Sequence, residues 1–143
     1  MRRRKLREFK PVWNAERGVW EGALLEEHIL REIVERLWFQ AKIKVFRINQ
    51  PVGGKTPQNE SGLPDLMGWI PKRRDVQGLE HIAIPLYIET KRPKQPGQRG
   101  GVRSPAQIRF IEEAKLGGCV AFFADSWADV VRELATVGIE LKP

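Results

Sequence analysis

Apolar residues recur at helical spacing between residues 24 and 39, which predicts an amphipathic helix there. Residues 42–48 then alternate between polar and apolar side chains, as a half-buried strand does. Residues 49–63 are rich in Gly, Pro, Asn and Ser, and this composition predicts a loop. Two apolar runs follow, at residues 65–70 and 82–90, and they predict two strands able to pair as a hairpin.

The second half of the chain opens with a basic segment, residues 92–103, that contains two prolines and three glycines. Such a segment predicts a loop instead of a regular element, and it is placed to act as a lid. Ser104 is a typical N-cap for a helix over residues 105–116, with proline at the favourable first helical position. Gly117 and Gly118 supply the signal that ends this helix.

Residues 119–124 predict a buried strand, Ser126 caps a last helix that runs to about Ala135, and residues 139–141 predict an edge strand. This order of elements predicts an α/β fold with a small mixed β-sheet flanked by helices. The size, 143 residues and 16.4 kDa, suits one domain with a real core. We expect that domain at residues 21–143, after a basic N-terminal arm at residues 1–20.

Positive charge is concentrated in two segments of a chain whose net charge is +7 and whose pI is about 9.9. Residues 1–17 are basic, either to bind a polyanion or simply to aid solubility, and residues 91–109 contain six cations and no acid. Phosphate backbones are bound chiefly by such charge. The candidate phosphate-binding residues are Arg2, Arg3, Arg4, Arg92, Lys94, Arg99, Arg103 and Arg109.

Several classes of protein are excluded by the sequence. The apolar runs are too short for a membrane span, and the basic N-terminus lacks the apolar core of a secretory signal. A single cysteine, Cys119, allows no internal disulfide and fits a reducing cytoplasm. His28 and His81 have no zinc-ligand spacing. Gly53-Gly54-Lys55-Thr56 lacks the context of a P-loop, so we expect no nucleotide cofactor.

One arrangement indicates chemistry: Pro64-Asp65, followed at the end of a later apolar run by Glu89-Thr90-Lys91. Side chains alternate along a strand, so Glu89 and Lys91 share one face. A carboxylate and an amine there, together with Asp65, would suit a hydrolytic site built around Mg²⁺. The structural alternative is that Glu89 and Lys91 lie on a solvated strand face while Asp65 caps a turn.

The whole pattern resembles the VRR-NUC branch of the PD-(D/E)xK nuclease superfamily, in the stand-alone form found in viruses and bacteria. The resemblance covers about residues 24–134 and implies a restriction-endonuclease-like core in the order α-β-β-β-α-β. The motifs that carry it are Glu26 or Glu27, Arg47, Asn49, Gly62-Leu63-Pro64-Asp65-Leu66, Ile88-Glu89-Thr90-Lys91, Ser104-Pro105-Ala106-Gln107 and Gly117-Gly118.

The resemblance implies that Asp65, Glu89 and the backbone carbonyl of Thr90 hold Mg²⁺, with Mn²⁺ as a substitute, while Lys91 polarises the attacking water. An acid of the first helix is implied to support the metal, and we choose Glu26 over Glu27 because it lies nearer the apolar face. For Gln107 two roles compete. It completes the Ser-x-x-Gln capping box, and the family pattern directs it to the active site.

We therefore expect a Mg²⁺-dependent DNA endonuclease that is selective for branched or four-way junction DNA. We expect it to act as a homodimer in the cytoplasm, or in the cytoplasm of the host cell if the chain is viral. The alternative is a non-catalytic DNA-binding module whose carboxylates are salt-bridge partners. Four aromatic residues are assigned to the core because of their type, namely Trp38, Phe39, Phe122 and Phe123.

Overall fold

A computed structural model describes residues 12–14, 19–21, 26–48, 62–72, 82–95 and 99–143 of the chain. Arg2, Arg3 and Arg4 of the basic arm and most of the predicted loop at residues 49–63 lie outside this part. The elements are β1 (Val12–Asn14), β2 (Val19–Glu21), α1 (Glu26–Ala41), β3 (Val45–Arg47), β4 (Leu66–Lys72), β5 (Ile82–Thr90), α2 (Pro105–Leu116), β6 (Val120–Ala124) and α3 (Trp127–Ala135).

The main sheet has four strands in the order β3-β4-β5-β6. β4 is antiparallel to both β3 and β5, while β6 runs parallel to β5 after a crossover through α2. This is the mixed α/β sheet that the order of elements predicts. None of the helices in the described part of the chain combines the length and apolar character that crossing a bilayer requires.

Helices cover both faces of the sheet. Leu86 and Ile88 of β5 are fully buried in the core that α1 and α3 complete with Ile33, Leu37 and Val130. The alternate residues of β5 point to the other face, where the ring of Tyr87 meets that of Phe110 in α2 at 5.2 Å. Glu89 shares this second face, so α2 packs over the side of the sheet that carries it.

Most element boundaries agree with the sequence pattern to within two or three residues, and those of β5, α2 and α3 agree at both ends. The predicted edge strand at residues 139–141 is wrong. Gly138 has φ +83° and the amide of Ile139 donates to the carbonyl of Leu134, so the chain closes the end of α3 there instead of joining a sheet. Ile139 and Leu141 still pack against the core, which explains their apolar character.

One pair of strands was not expected, and one expectation needs correction. β1 and β2 pair as antiparallel strands at the end of the segment assigned to the arm, and strands of three residues are too short for a pattern to reveal. Trp38 and Phe39 are 50% and 82% exposed. Leu37 occupies the buried face of α1, and each further residue of the helix is rotated by about 100°, which turns Trp38 and Phe39 away from the core. Phe122 is buried as expected, and Phe123 is half-buried.

Candidate active site

Strand pairing brings Asp65 to Glu89. Leu66 of β4 lies opposite Ile88 of β5, so the residues just beyond this pair meet where the two strands diverge. The backbone amide of Asp65 donates to Oε2 of Glu89 at 3.1 Å. In return, the amide and hydroxyl of Thr90 donate to Oδ2 of Asp65 at 2.9 and 2.7 Å. The two acidic segments are therefore held together by reciprocal hydrogen bonds.

Lys91, the residue just after β5, completes the cluster. Its backbone amide donates to the carbonyl of Ala124 in β6 at 2.8 Å, which extends the parallel pairing and fixes the direction of the side chain. Nζ of Lys91 then lies 2.9 Å from Oε1 of Glu89. The side chains of Glu89 and Lys91 are only 3% and 11% exposed, so this is an enclosed ion pair and not a solvated strand face.

Gln107 performs both of the roles that compete for it in the sequence. Its Oε1 accepts from the backbone amide of Ser104 at 2.9 Å, and its own backbone amide donates to Oγ of Ser104 at 3.2 Å, so the capping box is formed. The same Oε1 accepts from Nζ of Lys91 at 3.0 Å, while Nε2 donates to Oε1 of Glu89. One amide thus ties the start of α2 to the ion pair.

Gly62 presses the loop before Asp65 against the same helix. It has φ +99°, and a Cβ atom built on it would lie 2.6 Å from the carbonyl carbon and oxygen of Ala106. Only glycine permits both this conformation and this approach, since the obstructing atoms are backbone. The contact helps to fix the distance between the loop that carries Asp65 and the helix that carries Gln107.

Glu26, at the first position of α1, lies close to the cluster. Burial raises the pKa of Glu26 and the charge of Asp65 raises it further, against the opposing effects of Lys91 and of the Arg92 backbone amide. Glu27 points elsewhere. Its carboxylate is 48% exposed and pairs with Arg31 at 3.0 Å and with Arg47 at 4.0 Å. Glu26 is therefore the glutamate that lies beside the cluster, and its role there stays a prediction.

The cluster holds more negative charge than its single lysine balances. Burial raises the pKa of Glu89; hydrogen bonding to Lys91 opposes the rise, and the charge of Asp65 adds to it. A cation between the carboxylates would relieve this repulsion, and their hard oxygens suit Mg²⁺. Among the described residues no three Asp, Glu, His or Cys side chains form a metal-binding group. Mg²⁺ commonly uses only one or two carboxylates and keeps several waters, so Asp65 and Glu89 fit this ion.

Five residues of the 91–109 segment are predicted to bind phosphate. Four of them line one cleft of about 460 Å³ beside Lys91, namely Arg92, Lys94, Arg99 and Arg103. Arg109 is exposed on α2 and is not among the residues that line the cleft. The guanidinium of Arg92 donates to the carbonyl of Arg99 at 2.7 and 3.1 Å, so part of its hydrogen-bonding capacity closes the loop on itself.

Sequence reasoning missed two contributors to the site. The hydroxyl of Thr90 is fully buried against Asp65, whereas the sequence suggested only its carbonyl. A polar side chain within an apolar strand needs a partner, and this requirement was the available signal. Asp125 and Asp129 also line the basic cleft. No local pattern points to them, because they are brought there by the pairing of β5 with β6.

Residues 3–126 match the family model described as the VRR-NUC domain. The match starts inside the basic arm and includes Asp65, Glu89, Lys91 and Gln107. No curated protein and no solved structure matches the chain significantly. Because the family match covers most of the chain, this protein belongs to the VRR-NUC family and carries a nuclease domain of the PD-(D/E)xK superfamily.

Proposed function

We propose that this nuclease is a Mg²⁺-dependent DNA endonuclease whose catalytic core is Asp65, Glu89 and Lys91. One observation carries the proposal: hydrogen bonds of 2.9–3.1 Å tie the Asp65 backbone to Glu89, the Asp65 carboxylate to Thr90, and Glu89 to the ammonium group of Lys91, a residue that also lines the cationic cleft. A structural salt bridge between Glu89 and Lys91 would not need the carboxylate of Asp65, because its negative charge disfavours the ionised form of Glu89.

Each residue of the core has a distinct role in the proposal. Asp65 and Glu89 hold the ion, with the carbonyl oxygen of Thr90 as a third metal ligand. Bound Mg²⁺ would supply a nucleophilic water and neutralise charge that develops on the phosphate. Lys91, a compact positive donor, orients the attacking water and faces the phosphate oxygens.

Glu26 and Gln107 support this core without bonding to the phosphate. Glu26 lies within electrostatic reach of Asp65 and Lys91, where its carboxylate would accept a proton or hold a water of the ion's shell. Gln107 positions Lys91 by accepting from its ammonium group at 3.0 Å. Without that acceptor the lysine side chain has more rotamers available, and orientation at the reacting atoms is lost.

The cationic cleft is proposed to hold the DNA strand. Arg92, Lys94, Arg99 and Arg103 line it, and they neutralise backbone charge without reading sequence. Arg2, Arg3, Arg4 and Arg109 are proposed as further, outlying phosphate contacts. A homodimer acting on branched DNA is the form of this activity that we propose, by analogy with paired-site enzymes that cut two strands.

Substitution of the metal ligands tests the proposal. We expect Asp65→Asn and Glu89→Gln to lower the rate of Mg²⁺-dependent cleavage by at least about a hundredfold, since several kcal/mol of transition-state stabilisation are lost. The rate is measured on labelled four-way, flap and linear DNA. Glu27→Gln is the matched control, because Glu27 lies beside Glu26 yet faces Arg31, and it should cut normally.

The alternative of a non-catalytic binding module gives the opposite result. Such a module would bind DNA equally well with Mg²⁺ or EDTA, and no variant would differ in cleavage. Retention of full Mg²⁺-dependent cleavage by folded Asp65→Asn protein would refute the assignment of the catalytic core. Circular dichroism of each variant confirms that folding is not the cause of any loss.

A further inference from the structure

The cleft beside Lys91 has two walls of different chemistry. One wall comes from the loop after β5 and carries the cations Arg92, Lys94 and Arg99. The other wall comes from the end of β6 and the start of α3, and it carries Phe123, Asp125 and Asp129. Asp129 has a structural role there, because it accepts from the amide of Asp125 and pairs with Arg132. Asp125 adds a carboxylate that a cleft for phosphate alone would not need, since it repels phosphate.

Arg103 lines this cleft and has a defined orientation. Its guanidinium carbon is 4.3 Å from the centre of the Phe123 ring, within the range of a cation–π contact. Arg103 itself is exposed, so the guanidinium can present its second planar face to the cleft. Planar guanidinium groups stack on nucleobases as well as on aromatic rings.

The cleft's volume of about 460 Å³ is within the usual range for a small-molecule site, roughly 300–1,000 Å³. The cations can take the phosphates of a strand that enters from the Lys91 end. Asp129 is engaged within the chain, since its Oδ2 accepts from the amide of Asp125 and its Oδ1 accepts from Arg132, so Asp125 is the carboxylate that we expect to accept the exocyclic amino group of a base. Paired bases in a duplex are not available for such stacking, because their faces are already covered.

We propose that this cleft binds one unpaired nucleotide of the DNA strand, next to the phosphate to be cut, with its base stacked on Arg103. The inference rests on the proposed function and deepens it, because it explains selectivity for DNA with an unpaired or strained junction. Arg103 is then a specificity residue, whereas Lys94 and Arg99 contribute affinity alone.

Base stacking is measured with 2-aminopurine placed at each position in turn of a single-stranded arm, in the Asp65→Asn background. At one position we expect a fluorescence change on binding, which Arg103→Lys abolishes because it keeps the charge and loses the plane. Arg31→Lys is the matched control, since Arg31 is an exposed arginine of α1 that does not line the cleft, and it should leave the signal unchanged.

A second measurement leaves the protein unchanged and alters the DNA. An abasic residue at that position should weaken binding about tenfold, as expected for the loss of one stacked base, and should make little difference to Arg103→Lys protein. Equal affinity for abasic and intact strands, or equal signals from the two lysine variants, would overturn the inference and indicate a phosphate-only cleft.

The two proposals fail in distinguishable ways. Wild-type protein that cuts DNA with Mg²⁺ but binds abasic and intact strands alike retains the proposed function and loses the stacking site. Wild-type protein that shows the Arg103-dependent stacking but cuts no DNA retains the stacking site and loses the proposed endonuclease activity.

Discussion

Glu89, Thr90 and Lys91 are the buried polar and charged residues of the described part of the chain, and they are consecutive. Enclosing an ion pair costs desolvation energy that the attraction within the pair seldom exceeds. Thr90 reduces this cost for Asp65, and Gln107 reduces it for the Glu89–Lys91 pair, because each supplies hydrogen bonds. Such an arrangement is poor as a source of stability and well suited to chemistry.

The double role of Gln107 predicts separate effects on stability and catalysis. Ser104→Ala removes the cap and should lower the free energy of unfolding by about 1 kcal/mol while leaving the cleavage rate within about twofold. Gln107→Ala should cost a similar stability and also lower kcat at least about tenfold, because Lys91 loses its acceptor. Urea unfolding and single-turnover cleavage distinguish these results. Equal kcat values in the two variants would assign Gln107 to capping alone.

The raised pKa of Glu26 predicts a stability effect of defined sign. In metal-free protein its folded-state pKa lies above the ordinary value of 4.5, so the folded state favours the protonated form. Stability from this group is present below pH 4.5 and is lost as the pH rises through the raised value. Glu26→Gln, always neutral, should therefore have a higher Tm than the wild type at pH 7 in EDTA, and the difference should vanish below about pH 4.5.

Glu27→Gln serves as the control for this measurement, because Glu27 is half exposed and paired with Arg31. Loss of the Glu27 charge should leave Tm unchanged or slightly lower at pH 7, since exposed ion pairs of this kind contribute little to stability. A Tm increase of the same size in both variants would mean that general surface charge, and not the enclosed cluster, causes the effect.

At the scale of elements, the site depends on how the loop before β4 packs on α2. Gly62 and Gly118 both have positive φ, of +99° and +88°, but their surroundings differ. A Cβ at Gly62 would strike the backbone of Ala106, whereas a Cβ at Gly118 would have no atom within 4 Å in the described structure. Substitutions at these two glycines therefore distinguish the effect of backbone strain from the effect of lost packing between elements.

Gly118→Ala should lower the free energy of unfolding by about 1–2 kcal/mol, the cost of a left-handed conformation, without changing the cleavage rate. Gly62→Ala should cost at least about twice as much, because the clash adds to that strain. It should also lower the cleavage rate at least about tenfold, since Asp65 moves away from Gln107. Chemical denaturation and cleavage assays measure both; equal costs and unchanged cleavage would contradict the packing role.

At the scale of the whole molecule, opposite charges are segregated around the site. The net charge is +7, yet Asp65 and Glu89 lie together within electrostatic reach of Glu26, and the cations Lys94, Arg99 and Arg103 line the adjoining cleft. Such a field draws DNA toward the carboxylates only where cations surround them, which favours entry along the cleft. A chain of 16.4 kDa offers limited surface for the branched substrate that we propose.

Dimerisation would provide that surface by pairing two sites. We predict a particle of about twice 16.4 kDa in size-exclusion chromatography with light scattering, and faster cleavage of four-way junctions than of linear duplex. A monomer at all concentrations would contradict the first expectation, and equal rates on both substrates the second. Both measurements use the full chain.

Local signals in the sequence determined much of the fold. Periodicity and caps such as Ser104 and Ser126 specify elements because they depend on neighbouring residues alone, and strand alternation places Glu89 and Lys91 on one side. The family motifs added the expected site residues in their order along the chain.

Only the tertiary structure decided which of these residues meet. The β4–β5 register places Asp65 against Glu89, helix docking selects Glu26 over Glu27, and the approach of α2 lets Gln107 act both as cap and as partner of Lys91. The cleft between Arg103 and Asp125 likewise joins segments that have no local relation. These contacts depend on register and on packing across the sheet, which a pattern read along the chain does not contain.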